Sequence, residues 1–93
     1  MQDINVLEGH TILVGDTSIM IERIDFNSKK SFIVYTLSKE SATSEQLTLH
    51  VGKMIQLMPQ ALLAVLRIGR TTKETYAVMG LDTPHEIAIE PLC

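Results

Sequence analysis

The chain has 93 residues, 45% of them hydrophobic and only 4% aromatic, with no Trp and a formal net charge of −3. That length suits one domain whose core is built from Ile, Val, Leu and Met, and the mild acidity argues against a dedicated nucleic-acid binder, which ordinarily carries a basic excess. The single cysteine, Cys93, cannot form an internal disulfide, no stretch approaches the roughly 18 apolar residues of a membrane span, and "MQDINVLEGH" lacks the pattern of a signal peptide, so a cytoplasmic protein without membrane contact is expected.

Taken in chain order, Ile4 to Leu7 is a short apolar segment, followed by Gly9 and "TILV". Gly15-Asp16 then separates "ILV" from "TSIMIERI", and a glycine opening a two-residue connection suits a type II′ hairpin because it accepts positive φ without steric cost. "SIMIERIDF" is rich in β-branched residues and predicts a strand. "NSKK", 27–30, is turn-like, and "SFIVYTL", 31–37, is a strand with Phe32, Val34 and Thr36 on one face. "SKESATSEQ", 38–46, reads as a loop or weak edge strand, whose hydroxyls beside acidic residues are also a candidate for phosphorylation. The second half runs "LTLHVG", "MIQLM", "ALLAVLRI", a turn at "GRTTKE", a strand at "TYAVMGL", a break at Pro84 and the alternating "HEIAIEPL". Residues 59–69 carry two readings. Pro59, Gly69 and the Ala/Leu run fit a helix, while the corresponding segment of the first half is strand-like.

The two halves agree residue by residue. At a spacing of 43, Gly9 matches Gly52 and Ile12 matches Ile55. At 44, Ile21 matches Val65, Arg23 matches Arg67, Ile24 matches Ile68, Lys29 matches Lys73, Phe32 matches Tyr76 and Val34 matches Val78. One domain, 1–93, therefore divides into repeats of about 4–46 and 47–92. Two copies are too few for an open solenoid and suit a fused version of a symmetric dimer. The expected fold is all-β, a small pseudo-twofold barrel or sandwich, with an α+β alternative if 59–69 is helical.

"GHTILVGDTSIMIERI" resembles the opening of the CsrA/RsmA family of small bacterial translational regulators, and "YAVMGLDTPHEIAI", with Gly80, Pro84, Glu86, Ile87 and Ile89, resembles that family's later signature. The resemblance implies a single-chain counterpart of an intertwined homodimer of two five-stranded units. It also implies an overlap, because residues 47–50 would both end repeat one and begin repeat two, and the family's C-terminal helix has no counterpart after either repeat. The arginines with which that family reads GGA-containing RNA hairpins would fall on Val6, Leu7, Leu49, His50 and Pro91, and none is an arginine. The planar, permanently charged fork of arginine is not replaced by Leu or Pro.

Six of the eight Lys and Arg residues lie in matching stretches, Arg23, Lys29 and Lys30, then Arg67, Arg70 and Lys73, and these are the candidate RNA contacts. No aromatic platform accompanies them. Ile4, Val6 and Leu7 are the candidate protein-interaction residues, as an apolar strand edge open to β-addition. His10, His50 and His85 share no metal-ligand spacing, Met54, Met58 and Met79 read as core filler, and no nucleophile, acid–base, phosphate-loop or metal motif is present. The expectation is a non-enzymatic regulator connected to mRNA translation, without cofactor or metal. It would act through a CsrA-type regulator or another protein, or bind RNA directly through the basic hairpins. A small-ligand module is a third reading that no residue marks. The oligomeric expectation is a monomeric pseudo-dimer or a homo-oligomer.

Overall fold

In the computed structural model, residues 2–27, 29–39 and 43–91 are described. They form nine strands: β1 (Gln2–Leu7), β2 (Thr11–Val14), β3 (Thr17–Asp25), β4 (Phe32–Lys39), β5 (Glu45–His50), β6 (Met54–Met58), β7 (Ala61–Arg70), β8 (Thr75–Asp82) and β9 (Ile87–Glu90). The pairings between these strands are antiparallel and build two sheets, ordered β1-β8-β7-β6 and β5-β4-β3-β2-β9, with one isolated parallel bridge between Val51 and Val65. Among the described residues no helix is long and apolar enough to cross a membrane. Cys93 and most of the "ESAT" stretch of the phosphorylation candidate lie outside the described residues.

The all-β expectation holds, and the helical alternative at 59–69 is overturned, since β7 spans nearly all of that segment. Ala61, Ala64, Val65 and Ile68 satisfy helical spacing, but Ala61, Leu63 and Val65 also satisfy strand alternation. Pairing with β6 on one side and β8 on the other decides between them. At the Gly15-Asp16 turn only the glycine has positive φ (59°), the type II′ signature.

Each sheet is a three-stranded meander from one half flanked by strands from the other. β2-β3-β4 is bordered by β5 and β9, and β6-β7-β8 is bordered by β1 alone. The register repeats with the sequence. Phe32 faces His50 as Tyr76 faces Leu7, and Ile33 faces Leu49 as Ala77 faces Val6. The turns repeat as well. Gly9 (φ 89°) donates its N–H to the Ile21 carbonyl, and Gly52 (φ 86°) donates to that of Val65.

Both long strands carry a bulge at the same place, between Ile21 and Arg23 in β3 and between Val65 and Arg67 in β7. A bulge adds one residue to the alternation, so two successive side chains turn outward. Glu22 and Arg23 are exposed in one half, Leu66 and Arg67 in the other, before Ile24 and Ile68 return to the interior. The inner faces close over one core that includes Ile12, Val14, Ile19, Ile21, Ile33, Tyr35, Leu63, Val65, Met79 and Leu81. Fully burying side chains of this kind contributes about 1.5–3 kcal/mol each.

The overlap at residues 47–50 is resolved in favour of the second half. Residues 45–50 form β5 and pair with β4, so among the described residues the first half has no fifth strand.

Candidate nucleic-acid interface

The turn 27–31 is held by its own side chains. The Asn27 Oδ1 accepts from the Lys29 N–H (3.0 Å), and the Ser31 hydroxyl accepts from the Asn27 N–H and donates to its carbonyl (both 3.1 Å). The turn is tied to the end of β5 by the Val51 N–H, which donates to the Ser31 carbonyl (3.1 Å). Beside it, the bulge in β7 throws Arg67 and Leu66 outward, and Lys53 follows the Gly52 turn.

These elements enclose an open groove of about 580 Å³ that brings together Lys29, Lys30, Lys53 and Arg67, with His50 in its wall. No carboxylate is among the described residues that line it. His50 is fixed by packing on Phe32, with ring centroids 5.4 Å apart and planes at 49°. Four cations converge on one concavity of a chain whose net charge is −3, and the resulting local field favours a polyanion whatever the total.

The concavity beside the equivalent Arg23 is mixed in charge. It is lined by Glu8, Arg23, Asp25, Phe26, Arg70 and Thr75, with Ile24. At spacings of 43 or 44 the groove's Val51, Lys53, Leu66 and Lys30 correspond to Glu8, His10, Glu22 and Glu74, of which Glu8 lines this concavity, while His10 and Glu74 border another together with Arg67. Glu8 is engaged, accepting from the Ile24 N–H (2.9 Å), and His10 Nδ1 accepts from the Leu7 N–H (3.3 Å). Arg23 is paired with Asp25 (3.0 Å) and lies 5.7 Å from the centre of the Phe32 ring.

Of the six basic candidates read from the sequence, the structure gathers Lys29, Lys30 and Arg67. It places Arg23 and Arg70 in the mixed-charge concavity and Lys73 on the separate 71–74 turn, where Thr71 Oγ1 accepts from the Lys73 and Glu74 N–H groups (3.3 and 3.1 Å). Lys53 and His50 were missed, although Lys53 follows Gly52 as His10 follows Gly9 and so was positioned by the repeat itself.

The protein-interaction candidates do lie on an edge strand, but two of their side chains are not exposed. Ile4 and Val6 are 6% and 1% exposed and belong to the core, because alternation along β1 turns both onto β8 and the opposite sheet, while Leu7 is half-buried. What β1 leaves unpaired among the described residues is its outer backbone edge, the feature that β-addition uses. His85 packs at the Gly15 turn, away from the other two histidines, and no cluster of metal-ligating side chains occurs among the described residues. Met79 is fully buried as core filler, whereas Met54 is 54% exposed.

No family model, curated protein or solved structure matches the chain.

Proposed function

We propose that this chain is a non-enzymatic regulator that binds RNA, holding its phosphates in the groove of Lys29, Lys30, Lys53 and Arg67. The single observation that carries the reading is the convergence of these four cations with no carboxylate among the described lining residues. Such a groove tracks a nucleic-acid backbone through charge, at a cost in affinity as salt rises. The link to translational control rests on the resemblance to the CsrA/RsmA family. It is supported by the exchange of strands between the halves, in which β5 and β9 flank the first meander and β1 the second, as an intertwined dimer fused into one chain requires. The contacts would differ from that family's, since the family's arginine positions are occupied by Val, Leu, His and Pro here. The alternative of acting through a protein partner, including antagonism of a CsrA-type regulator, loses the apolar side chains of Ile4 and Val6 to the core and keeps only strand edges.

The test is fluorescence anisotropy with a labelled RNA hairpin carrying GGA in its loop, beside an unstructured RNA of equal length. With four phosphate contacts, affinity should fall roughly 50- to 150-fold between about 50 and 200 mM salt. Absence of binding to either RNA at the lower salt ends this reading.

A further inference from the structure

We propose that β6 is a self-pairing edge through which two copies of this chain associate, antiparallel, with Gln56 facing its own counterpart across a twofold axis. The first observation is a broken symmetry. β6 stands to β7 as β2 stands to β3, and the outer edge of β2 is covered by β9 in the register Thr11↔Glu90, Ile12↔Ile89, Leu13↔Ala88, Val14↔Ile87. Among the described residues nothing pairs with the outer edge of β6. The residues that would have supplied the missing strand are used in β5.

The consequence is visible in burial. Ile12, beside β9, is 0% exposed, whereas its equivalent Ile55 is only half-buried, and Met54 is 54% exposed. The backbone is aimed for pairing. Val65 donates its N–H to the Lys53 carbonyl, and antiparallel hydrogen bonds alternate along a ladder, so the N–H and C=O groups of Met54 and Gln56 point away from β7. Thr11 and Leu13, their equivalents, face β9.

The choice of a second copy as occupant rests on charge. Each of the other free edges carries a carboxylate, Asp3 in β1, Glu45 in β5 and Glu90 in β9, in a chain of net charge −3. "MIQLM" carries none, so two copies meet there without carboxylate repulsion, with Lys53 and Pro59 just outside the strand at either end. Antiparallel self-pairing is isologous and closes as a dimer rather than a fibre. The bulge between Gln56 and Met58, with Pro59 beyond, limits pairing to a short segment centred on Gln56, which sets Ile55 of each copy opposite Leu57 of the other on the core side. The sheets would join into a continuous eight-stranded one.

The experiment is sedimentation equilibrium of the full chain over a wide concentration range, with a reductant to keep Cys93 from cross-linking, together with hydrogen exchange. The expected result is a twofold rise from 10.4 kDa, with slowed exchange at the Met54 and Gln56 amides as concentration rises. Gln56→Lys, which sets two ammonium groups against each other, should abolish the rise, as should Gln56→Pro, which removes the outward N–H. A mass of 10.4 kDa at every concentration, a dimer that survives either substitution in a folded chain, or a twofold mass without protection at Met54 and Gln56 each overturns the proposal.

Discussion

Arg23 and Arg67 hold the same place in the two halves, each the residue after a bulge and each opposite a valine, Val34 or Val78, yet they are in opposite electrostatic situations. Arg23 is tied to Asp25 at 3.0 Å and covers the Phe32 ring. At the position equivalent to Asp25 the second half has Gly69, and Arg67 instead lines the basic groove with Lys29, Lys30 and Lys53 while also bordering a second concavity that holds Glu74. The two halves carry equivalent arginines, and their neighbours differ: one is ion-paired, and the other lines the basic groove on which the proposed RNA site rests.

Charge reversal at these two positions should therefore separate. Arg67→Glu removes one phosphate contact and introduces repulsion, so RNA affinity should fall at least tenfold at low salt and the slope of log affinity against log salt should shrink by about 0.7–0.9. Arg23→Glu should leave the groove's affinity within about twofold, because it lies in a concavity already populated by carboxylates. Anisotropy titrations of both variants check this. Equal losses would place the RNA elsewhere on the surface.

Gly69 has a steric role of its own. It pairs with Tyr76 across β7 and β8, and a Cβ at Gly69 would run into the Tyr76 ring carbons and hydroxyl. Gly69→Ala should destabilise the fold by about 1–3 kcal/mol, the usual cost of overpacking. Truncating the ring in the double variant Gly69→Ala/Tyr76→Ala should recover the steric part, so the two changes should be strongly non-additive in denaturant melts. Additive losses would mean that the ring simply moves aside.

These features differ in how far the sequence discloses them. The turn at Gly15 was legible because a positive φ leaves a glycine in the sequence, whereas Gly9 and Gly52 were legible only as matching positions and the pairing register was not read at all. The strand at β7 was ambiguous because its small and apolar residues satisfy both periods, and only its two neighbours decide. That Ile4 to Leu7 forms an edge strand was legible, but not that Ile4 and Val6 turn their side chains into the core, because a short apolar segment does not say which face is covered. The basic groove was half legible. Lys29, Lys30 and Arg67 stood out as clusters, but Lys53 joins them only through the packing of the β5–β6 turn against β7.

Gly52 isolates backbone strain from steric strain. Its φ is 86° and no heavy atom lies within 4 Å of a built Cβ, so Gly52→Ala meets open space. The cost should be that of forcing an L-residue into a left-handed conformation, about 1–2 kcal/mol. Gly52→Asn should cost less, since Asn visits this region more readily. Thermal melts of the two variants measure the difference, and an alanine variant as stable as the parent would show that the turn relaxes to negative φ.

The acid side of the stability curve should report on Glu22. Its carboxylate accepts hydrogen bonds from the Thr36 hydroxyl on β4 and from Gln46 Nε2 on β5 (2.7 Å), linking three strands on the outer face. The Thr36 bond, followed by that of Gln46, holds its pKa below the ordinary 4.5 against a smaller opposing effect of desolvation. With the folded pKa depressed, the unfolded chain takes up the proton first on acidification. The stability Glu22 contributes is therefore fully present above about pH 4.5 and disappears as pH falls through the lower folded value. A carbon-detected titration should place the Glu22 midpoint below 4.5, and Thr36→Ala should raise it more than Gln46→Ala does. In melts between about pH 3 and 7, Glu22→Gln should differ from the parent at neutral pH and converge with it at the acid end. A gap that stays constant across the range would assign the effect to packing of the side chain rather than to its charge.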